Sequence, residues 1–215
     1  MILTRLGHAA LLVETPSSRT LIDPGSFSSD WHGLTDLDAV LVTHQHADHI
    51  DVNNVGAMLD ANKGARVIVE GAVVEMLSDR TVYPAVVGDT LTINDLRIEI
   101  VGGQHALIHD RIPRVGNVGF ILREESGPNL FHPGDAYTTA PSGIDILALP
   151  LTAPWARVGM TADFANAVRP RKIIPIHDSI VSEAGRPIYM RMSRTVIDES
   201  ITIDDPGLGE PYDVG

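Results

Sequence analysis

Short apolar runs separated by Gly, Pro, Ser and Asp make up most of the first half of the chain, as expected for β-strands joined by turns. The run Ala39–Thr43, AVLVT, is apolar up to its last residue, which is typical of a strand buried on both faces. Apolar residues at helical spacing predict helices over Ile50–Leu59 and Thr161–Val168, the second ended by Pro170. The turn-rich segment from Asp204 onward is predicted to be irregular.

Both halves of the chain pass through several strands before they become helical. The further predicted strands are Ile2–Leu6, Ala10–Glu14, Thr20–Asp23, Arg66–Val69, Val82–Val87, Thr90–Ile93, Arg97–Val101, Val118–Arg123, Asn129–His132, Ile144–Leu149 and Ile173–Ile176. This order fits two β-sheets packed face to face with helices on the outside. The predicted fold is therefore α/β, a four-layer αββα sandwich, with residues 1–215 forming a single domain.

Composition excludes several classes of function. The chain has no cysteine, which rules out a cysteine nucleophile and a disulfide framework. Its formal net charge of −12 lacks the basic footprint of a nucleic-acid-binding protein, so no nucleic-acid partner is predicted. No apolar run is long enough for a membrane span, and the first residues do not have the pattern of a signal peptide. We therefore expect a cytoplasmic protein without a membrane partner.

The segment VTHQHADH, directly after the predicted buried strand, concentrates groups that bind metals. On an extended segment His44 and His46 point to the same side, so both imidazoles can bind one cation. Asp48 and His49 follow where the chain turns, and they face a second position beside the first. Hydrolytic sites with two metals hold their ions about 3.5–4 Å apart. The segment thus supplies about half of the ligands that two cations need.

Three further candidate ligands follow apolar runs later in the chain. His105 comes after the predicted strand that ends at Val101, Asp135 after the strand that ends at His132, and His177 directly after the last one. Loops at strand ends commonly carry functional side chains, so we expect these three residues to converge on the histidine-rich segment.

The motif H-x-H-x-D-H resembles the signature of the metallo-β-lactamase fold superfamily. The segments LGHAALLVE and LIDP resemble, more narrowly, the metal-dependent hydrolases related to ascorbate-6-phosphate lactonase, with a Gly-His pair on an early strand. This resemblance implies the αββα fold of that superfamily and two divalent cations. Zinc suits these ligands first, with manganese, iron and nickel as alternatives. The implied ligands are His44, His46 and His105 for one cation, Asp48, His49 and His177 for the other, and Asp135 between the two.

The resemblance implies a dinuclear metal-dependent hydrolase that uses a metal-bound hydroxide against a lactone, ester or phosphoester bond of a small molecule. Asp48 would orient the hydroxide, and His8 would protonate the leaving group, with His109 and His132 as alternatives. Other interpretations are a phosphodiesterase of the tRNA-maturase type and a metal- or ligand-binding module without catalysis. Relatives often assemble, so a homo-oligomer is also expected.

Several of these residues have competing interpretations. His109, four residues after His105, is the competing ligand, although His105 stands closer to the end of its strand. His132 fits a structural role that binds a loop at least as well as a role at the site. Trp155 is interpreted as a packing aromatic. Arg114 suits an anionic substrate, but a solvated loop charge is the preferred interpretation.

Overall fold

Two seven-stranded β-sheets lie at the centre of the computed structural model, which describes residues 1–215. The strands of the first sheet are β1 (Ile2–Arg5), β2 (Leu11–Glu14), β3 (Arg19–Ile22), β4 (Ala39–Val42), β5 (Arg66–Val69), β6 (Tyr83–Pro84) and β14 (Tyr212–Asp213). Their order is β14-β1-β2-β3-β4-β5-β6, and β3, β4, β5 and β6 run parallel to one another.

The second sheet is built mainly from the second half of the chain. Its strands are β7 (Thr90–Ile93), β8 (Leu96–Gly102), β9 (Val118–Glu124), β10 (Asn129–His132), β11 (Ile146–Pro150), β12 (Lys172–Ile176) and β13 (Thr202–Ile203). They follow in the order β13-β12-β11-β10-β9-β8-β7, with β10, β11, β12 and β13 parallel.

Three apolar layers hold the sheets and helices together. The largest lies between the sheets and contains Leu11 and Leu41 from the first and Phe120 from the second. The outer face of each sheet packs against helices, and the helices are α1 (Val55–Ala61), α2 (Gly71–Met76), α3 (Val158–Val168) and α4 (Arg186–Val196). The predicted αββα sandwich is confirmed. None of the four helices has the length and hydrophobicity needed to span a bilayer.

The ends of parallel strands from both sheets meet at one edge of the sandwich. The amide of Val118, at the start of β9, donates to the carbonyl of Thr43, directly after β4, at 2.9 Å. The segments that follow β4, β10 and β12 therefore lie side by side, and these segments carry most of the predicted site residues.

Two local predictions were wrong at their boundaries. The helix predicted over Ile50–Leu59 begins only at Val55, because the carboxylate of Asp51 accepts from the Asn53 amide and the Asn54 side chain and holds a turn there. The segment from Asp204 is not wholly irregular, since β14 pairs antiparallel with β1 and completes the first sheet.

Helix α4 was not predicted. It buries only Met190 and Ser193, and Arg186, Arg191 and Arg194 stand among its apolar residues and lower its overall hydrophobicity, so no apolar run marks the segment as a helix. Tertiary contacts with α3 and the ion pairs of Arg186 stabilise the helix.

A buried arginine joins the two sheets and the C-terminal segment. Arg5, on β1, donates to Asp178 at 2.8 Å and to Asp205 at 2.9 Å. Asp178 follows β12, and it also accepts from Arg186 at 2.7 Å. Asp178 is thus a hydrogen-bonding partner of two arginines, and the network secures the segment that carries His177.

We expect Arg5→Met to lower the free energy of unfolding by about 3 kcal/mol, since it leaves two partly buried carboxylates with one arginine between them. Urea denaturation measures this change. The matched control is Arg171→Met, because Arg171 makes an exposed ion pair with Asp145 whose loss should cost less than about 1 kcal/mol. Equal effects in the two variants would show that the Arg5 network contributes nothing beyond an ordinary surface pair.

Candidate metal centre

The segment after β4 forms a tight turn that directs its side chains inward. The amides of His49 and Ile50 both donate to the carbonyl of His46, at 2.9 and 3.0 Å, so the chain makes one helical turn there. The turn packs directly on the backbone of Gly25, where a Cβ atom would lie 1.8 Å from the carbonyl oxygen of Asp48. Only glycine at position 25 leaves room for this turn.

The predicted residues converge as the sequence indicated. Three overlapping groups have ligand atoms that all lie within 4.8 Å of one another: His44, His46 and His105; His44, His49 and Asp135; and His8, Asp48, His49 and His177. The seven candidate ligands therefore form one continuous cluster at the edge where the sheets meet.

Asp135 lies at the centre of this cluster. One of its carboxylate oxygens, Oδ1, is 3.2 Å from Nε2 of His49 and 3.2 Å from Nε2 of His177. The other, Oδ2, is 3.5 Å from Nε2 of His105 and accepts from the indole of Trp155 at 3.0 Å. Each oxygen thus faces a different set of histidines, as a carboxylate shared between two cations would.

The first sheet orients two of its histidines through Asp23 and Thr43. Nδ1 of His49 donates to the Asp23 carboxylate at 2.6 Å, and the Thr43 hydroxyl donates to the same carboxylate at 2.7 Å. Since that hydroxyl proton is committed to Asp23, its oxygen accepts from Nδ1 of His44, 3.0 Å away. Both imidazoles therefore carry their proton on Nδ1 and present a free lone pair on Nε2.

Backbone carbonyls orient the two histidines of the second sheet in the same way. Nδ1 of His105 donates to the carbonyl of Ala106 at 2.7 Å, and Nδ1 of His177 donates to the carbonyl of Thr152 at 2.6 Å. In both residues Nε2 is again left with its lone pair directed at the cluster.

Four buried polar atoms at the cluster lack a hydrogen-bond partner: Nε2 of His49, Nε2 of His105, Nε2 of His177 and Oδ1 of Asp135. A buried polar atom without a partner costs about 1–3 kcal/mol. All four face the cluster, and the three nitrogens are lone-pair donors once a cation displaces any proton that they carry, so divalent cations would satisfy them together. The residues therefore fit a metal site by their chemistry as well as by their positions.

The remaining pair, His44 and His46, completes the cluster on its more open side. Nε2 of His44 and Nδ1 of His46 are 3.0 Å apart, and both face His105. Burial lowers the pKa of both side chains, and that of His44 falls well below its usual value. They are therefore neutral at pH 7, the state in which an imidazole binds a metal.

The carboxylates of Asp48 and Asp135 make the other half of the cluster, which includes His49 and His177, attract positive charge. Burial alone would lower the pKa of His49 and His177, but the neighbouring carboxylates, Asp135 first among them, together outweigh it and raise the pKa of His177 to about 9 and that of His49 well above its usual value. Burial likewise opposes ionisation of Asp48, but the nearby imidazoles of His177 and His8 lower its pKa. Without a cation, protons on the histidines neutralise the carboxylates.

His8 lies close to this cluster. It does not lie on an early strand, which is where the sequence resemblance had placed it. It occupies the turn between β1 and β2, in the left-handed region with φ of 50°. Its Nε2 is 3.0 Å from the Asp48 carboxylate, so the structure brings the two predicted catalytic residues into direct contact.

The competing histidines lie elsewhere. His109 is exposed, and its Nδ1 accepts from the amide of Arg111, so it is not among the converging side chains. His132 is fully buried, donates from Nε2 to the carbonyl of Ala9 and accepts at Nδ1 from Gly134, which is a structural role. Arg114 is exposed, as expected for a loop charge, and its guanidinium also donates to the carbonyl of His105.

Three residues that support the cluster were missed. Trp155 was interpreted as a packing aromatic, but its indole donates to Asp135; Thr43 and Thr152 orient histidines. The only available signal was position, since Thr43 is the last residue of one predicted strand and Thr152 lies three residues after the end of another. Their partners lie on other secondary-structure elements, or the contacts depend on side-chain geometry, so sequence spacing could not identify these residues.

The chain matches the family model described as beta-lactamase superfamily domain over residues 2–177. It is 39% identical to protein Rv0786c of Mycobacterium tuberculosis, over 88% of this chain and 89% of that protein. It is 27% identical to a metal-dependent hydrolase of Anaeromyxobacter sp. (strain K), over 87% and 78% of the two chains. The solved structure of the metallo-beta-lactamase fold protein YhfI from Bacillus subtilis has a TM-score of 0.75, with 15% identity and 98% of each chain covered, and it supports the fold.

We expect Zn²⁺ binding to the metal-free protein to release protons and to strengthen as the pH rises toward about 9. The raised pKa of His177 and His49 means that both are protonated at pH 7, and each displaced proton makes the apparent affinity rise about tenfold per pH unit. Calorimetry at pH 7 in two buffers of different ionisation enthalpy counts the released protons. Binding heats that do not depend on the buffer would contradict this assignment of protons.

Proposed function

The chain belongs to the metallo-β-lactamase superfamily and is a metal-dependent hydrolase, and from that premise we propose that it uses two divalent cations to hydrolyse a lactone, ester or phosphoester bond of a small molecule. The proposal is supported chiefly by the four buried, unpartnered lone pairs of His49, His105, His177 and Asp135, which converge where the two sheets meet.

We assign the candidate ligands to two sets that share Asp135. His44, His46 and His105 would hold one cation, and Asp48, His49 and His177 the other. Each carboxylate oxygen of Asp135 faces the histidines of one set. Imidazole and carboxylate ligands suit zinc first, and manganese, iron and nickel accept the same donors.

Divalent cations bound there would lower the pKa of water to about 7 and polarise the bond that is cut. The protein itself leaves access on one side, because His46 and Asp48 are only half-buried while the other candidate ligands are buried. Asp48 remains ionised, since the nearby imidazoles of His177 and His8 lower its pKa. Its carboxylate can thus accept a hydrogen bond from an attacking water and orient it.

The surroundings of this opening favour a small molecule with an apolar part. Phe27 is 49% exposed, and its ring centroid lies 5.0 Å from that of His8. Ile112, 46% exposed, lines a small cavity together with His46 and His105. Apolar side chains beside a polar cluster are the usual lining of a small-molecule site.

The role of the candidate ligands is tested by replacing either of two nearby histidines, His105 or His109, with alanine. We expect the wild type to bind two Zn²⁺ ions and to hydrolyse at least one member of a panel of lactones, esters and phosphoesters. His105→Ala should lose more than about 100-fold in activity and bind one cation weakly, because Nε2 of His105 is a buried candidate ligand. His109→Ala, which removes the exposed histidine four residues on, should change neither.

Metal analysis and initial rates on the two variants distinguish the alternatives. Equal losses in His105→Ala and His109→Ala would contradict the ligand assignment. Normal Zn²⁺ binding without hydrolysis of any panel member would identify a metal-binding module instead of a hydrolase of these bonds.

A further inference from the structure

The turn Gly7-His8, which joins β1 to β2, has an unusual backbone. Gly7 has φ of 100° and His8 has φ of 50°, so both residues are left-handed. A Cβ atom at Gly7 would lie 2.6 Å from Cβ of Ser28, so no larger residue fits there. A histidine is rarely found in this conformation, and strained backbone of this kind is concentrated at functional sites. The strained backbone therefore indicates a functional role for the contacts that His8 makes.

The contacts of His8 determine which of its ring nitrogens carries the proton. Nδ1 faces the backbone amide of Ser179 at 3.3 Å, and since an amide can only donate, Nδ1 accepts and is unprotonated. Nε2 therefore carries the proton and donates it to Oδ2 of Asp48 at 3.0 Å. The neutral imidazole is thus a hydrogen-bond bridge between the segment after β12 and the segment after β4.

This tautomer is the opposite of the one found in the histidines that face Asp135. In the neutral form that binds a metal, His49, His105 and His177 each donate from Nδ1 and present a lone pair on Nε2. His8 lies within the same cluster, with its ligand atom within 4.8 Å of those of Asp48, His49 and His177, but it presents a proton there. A donor N–H cannot bind a cation, so proximity alone would misidentify His8 as a ligand.

His8 also contacts His177 directly. Its carbonyl oxygen accepts from the backbone amide of His177 at 2.8 Å, and the two imidazole ring centroids are 3.9 Å apart. Its ring is buried, with only 3% of the residue exposed, and Phe27 lies against it. The turn therefore holds two candidate ligands of one cation, Asp48 through its side chain and His177 through its backbone.

We propose that His8 is a positioning residue that assembles the second cation site, the one formed by Asp48, His49 and His177. By donating to Oδ2 of Asp48, it fixes the carboxylate where that oxygen lies 3.5 Å from Nε2 of His177 and 3.9 Å from Nε2 of His49. The inference rests on the proposed two-cation function. It assigns His8 a role in metal binding instead of protonation of a leaving group.

The effect of His8 is confined to one of the two sites. It has no hydrogen bond to His44, His46 or His105, which form the other group of candidate ligands. Loss of its side chain should therefore weaken one cation and leave the other unchanged. The unaffected site then serves as an internal measure of correct folding.

Two substitutions separate the hydrogen bond to Asp48 from the rest of the turn. In His8→Gln the amide nitrogen reaches the position of Nε2 and can donate to Asp48. In His8→Asn the shorter amide reaches only the position of Nδ1, where it can accept from Ser179, and asparagine tolerates the left-handed backbone. Titration of the metal-free proteins with Zn²⁺ alone, followed by calorimetry, reports the number and affinity of bound ions.

We expect two Zn²⁺ ions on the wild type and on His8→Gln. On His8→Asn the affinity for one ion should fall by about 10- to 100-fold, as is typical when a hydrogen bond to a ligand is lost, while the other stays within twofold. Two ions bound normally by His8→Asn would overturn the inference and leave the proposed function intact. An ion bound as weakly by His8→Gln as by His8→Asn would also overturn the inference, and so would the loss of both ions in His8→Asn. Fewer than two ions on the wild type would overturn both this inference and the proposed function.

Discussion

The buried carboxylate of Asp135 is the group around which the two sheets are arranged. It belongs to the second sheet, yet it faces His49 of the first sheet as closely as it faces His177 of its own, at 3.2 Å in both cases. A carboxylate removed from water must have a positive partner, because its desolvation alone costs several kcal/mol. Protonated histidines supply that charge in the metal-free protein, and cations would supply it in the active one. The need for positive charge at this point explains why Nε2 of the surrounding histidines has no other hydrogen-bond partner.

The backbone around the cluster is strained at turns that direct side chains toward it. Three of the non-glycine residues with positive φ lie at this edge, namely His8 at 50°, Asp23 at 49° and His177 at 59°. Left-handed backbone costs about 1–3 kcal/mol per residue and persists only where the neighbouring structure requires it. Here each turn directs a side chain toward the cluster: Asp23 to His49, His8 to Asp48, and His177 to Asp135. The rigid strand ends provide the support for these turns.

The fold and the converging residues were predictable because their signals are local. The strand Ala39–Thr43 and the histidines behind it are contiguous, and His177 follows its strand directly. Which nitrogen of each ring is protonated depends on partners far away in sequence, such as Ser179 for His8, and spacing carries no information on that. Helix α4 was missed because three arginines among its apolar residues lower its overall hydrophobicity, and because its contacts with α3 and the ion pairs of Arg186 lie outside the local sequence pattern.

The most direct test is a crystal structure of the zinc-loaded protein with anomalous differences measured at the zinc edge. Two peaks about 3.5–4 Å apart should lie on either side of the Asp135 carboxylate. One should be about 2.0–2.1 Å from Nε2 of His44 and His105, and the other at that distance from Nε2 of His49 and His177, with His8 not coordinated. A single peak, a peak bound to Nε2 of His8, or zinc located away from Asp135 would contradict this account.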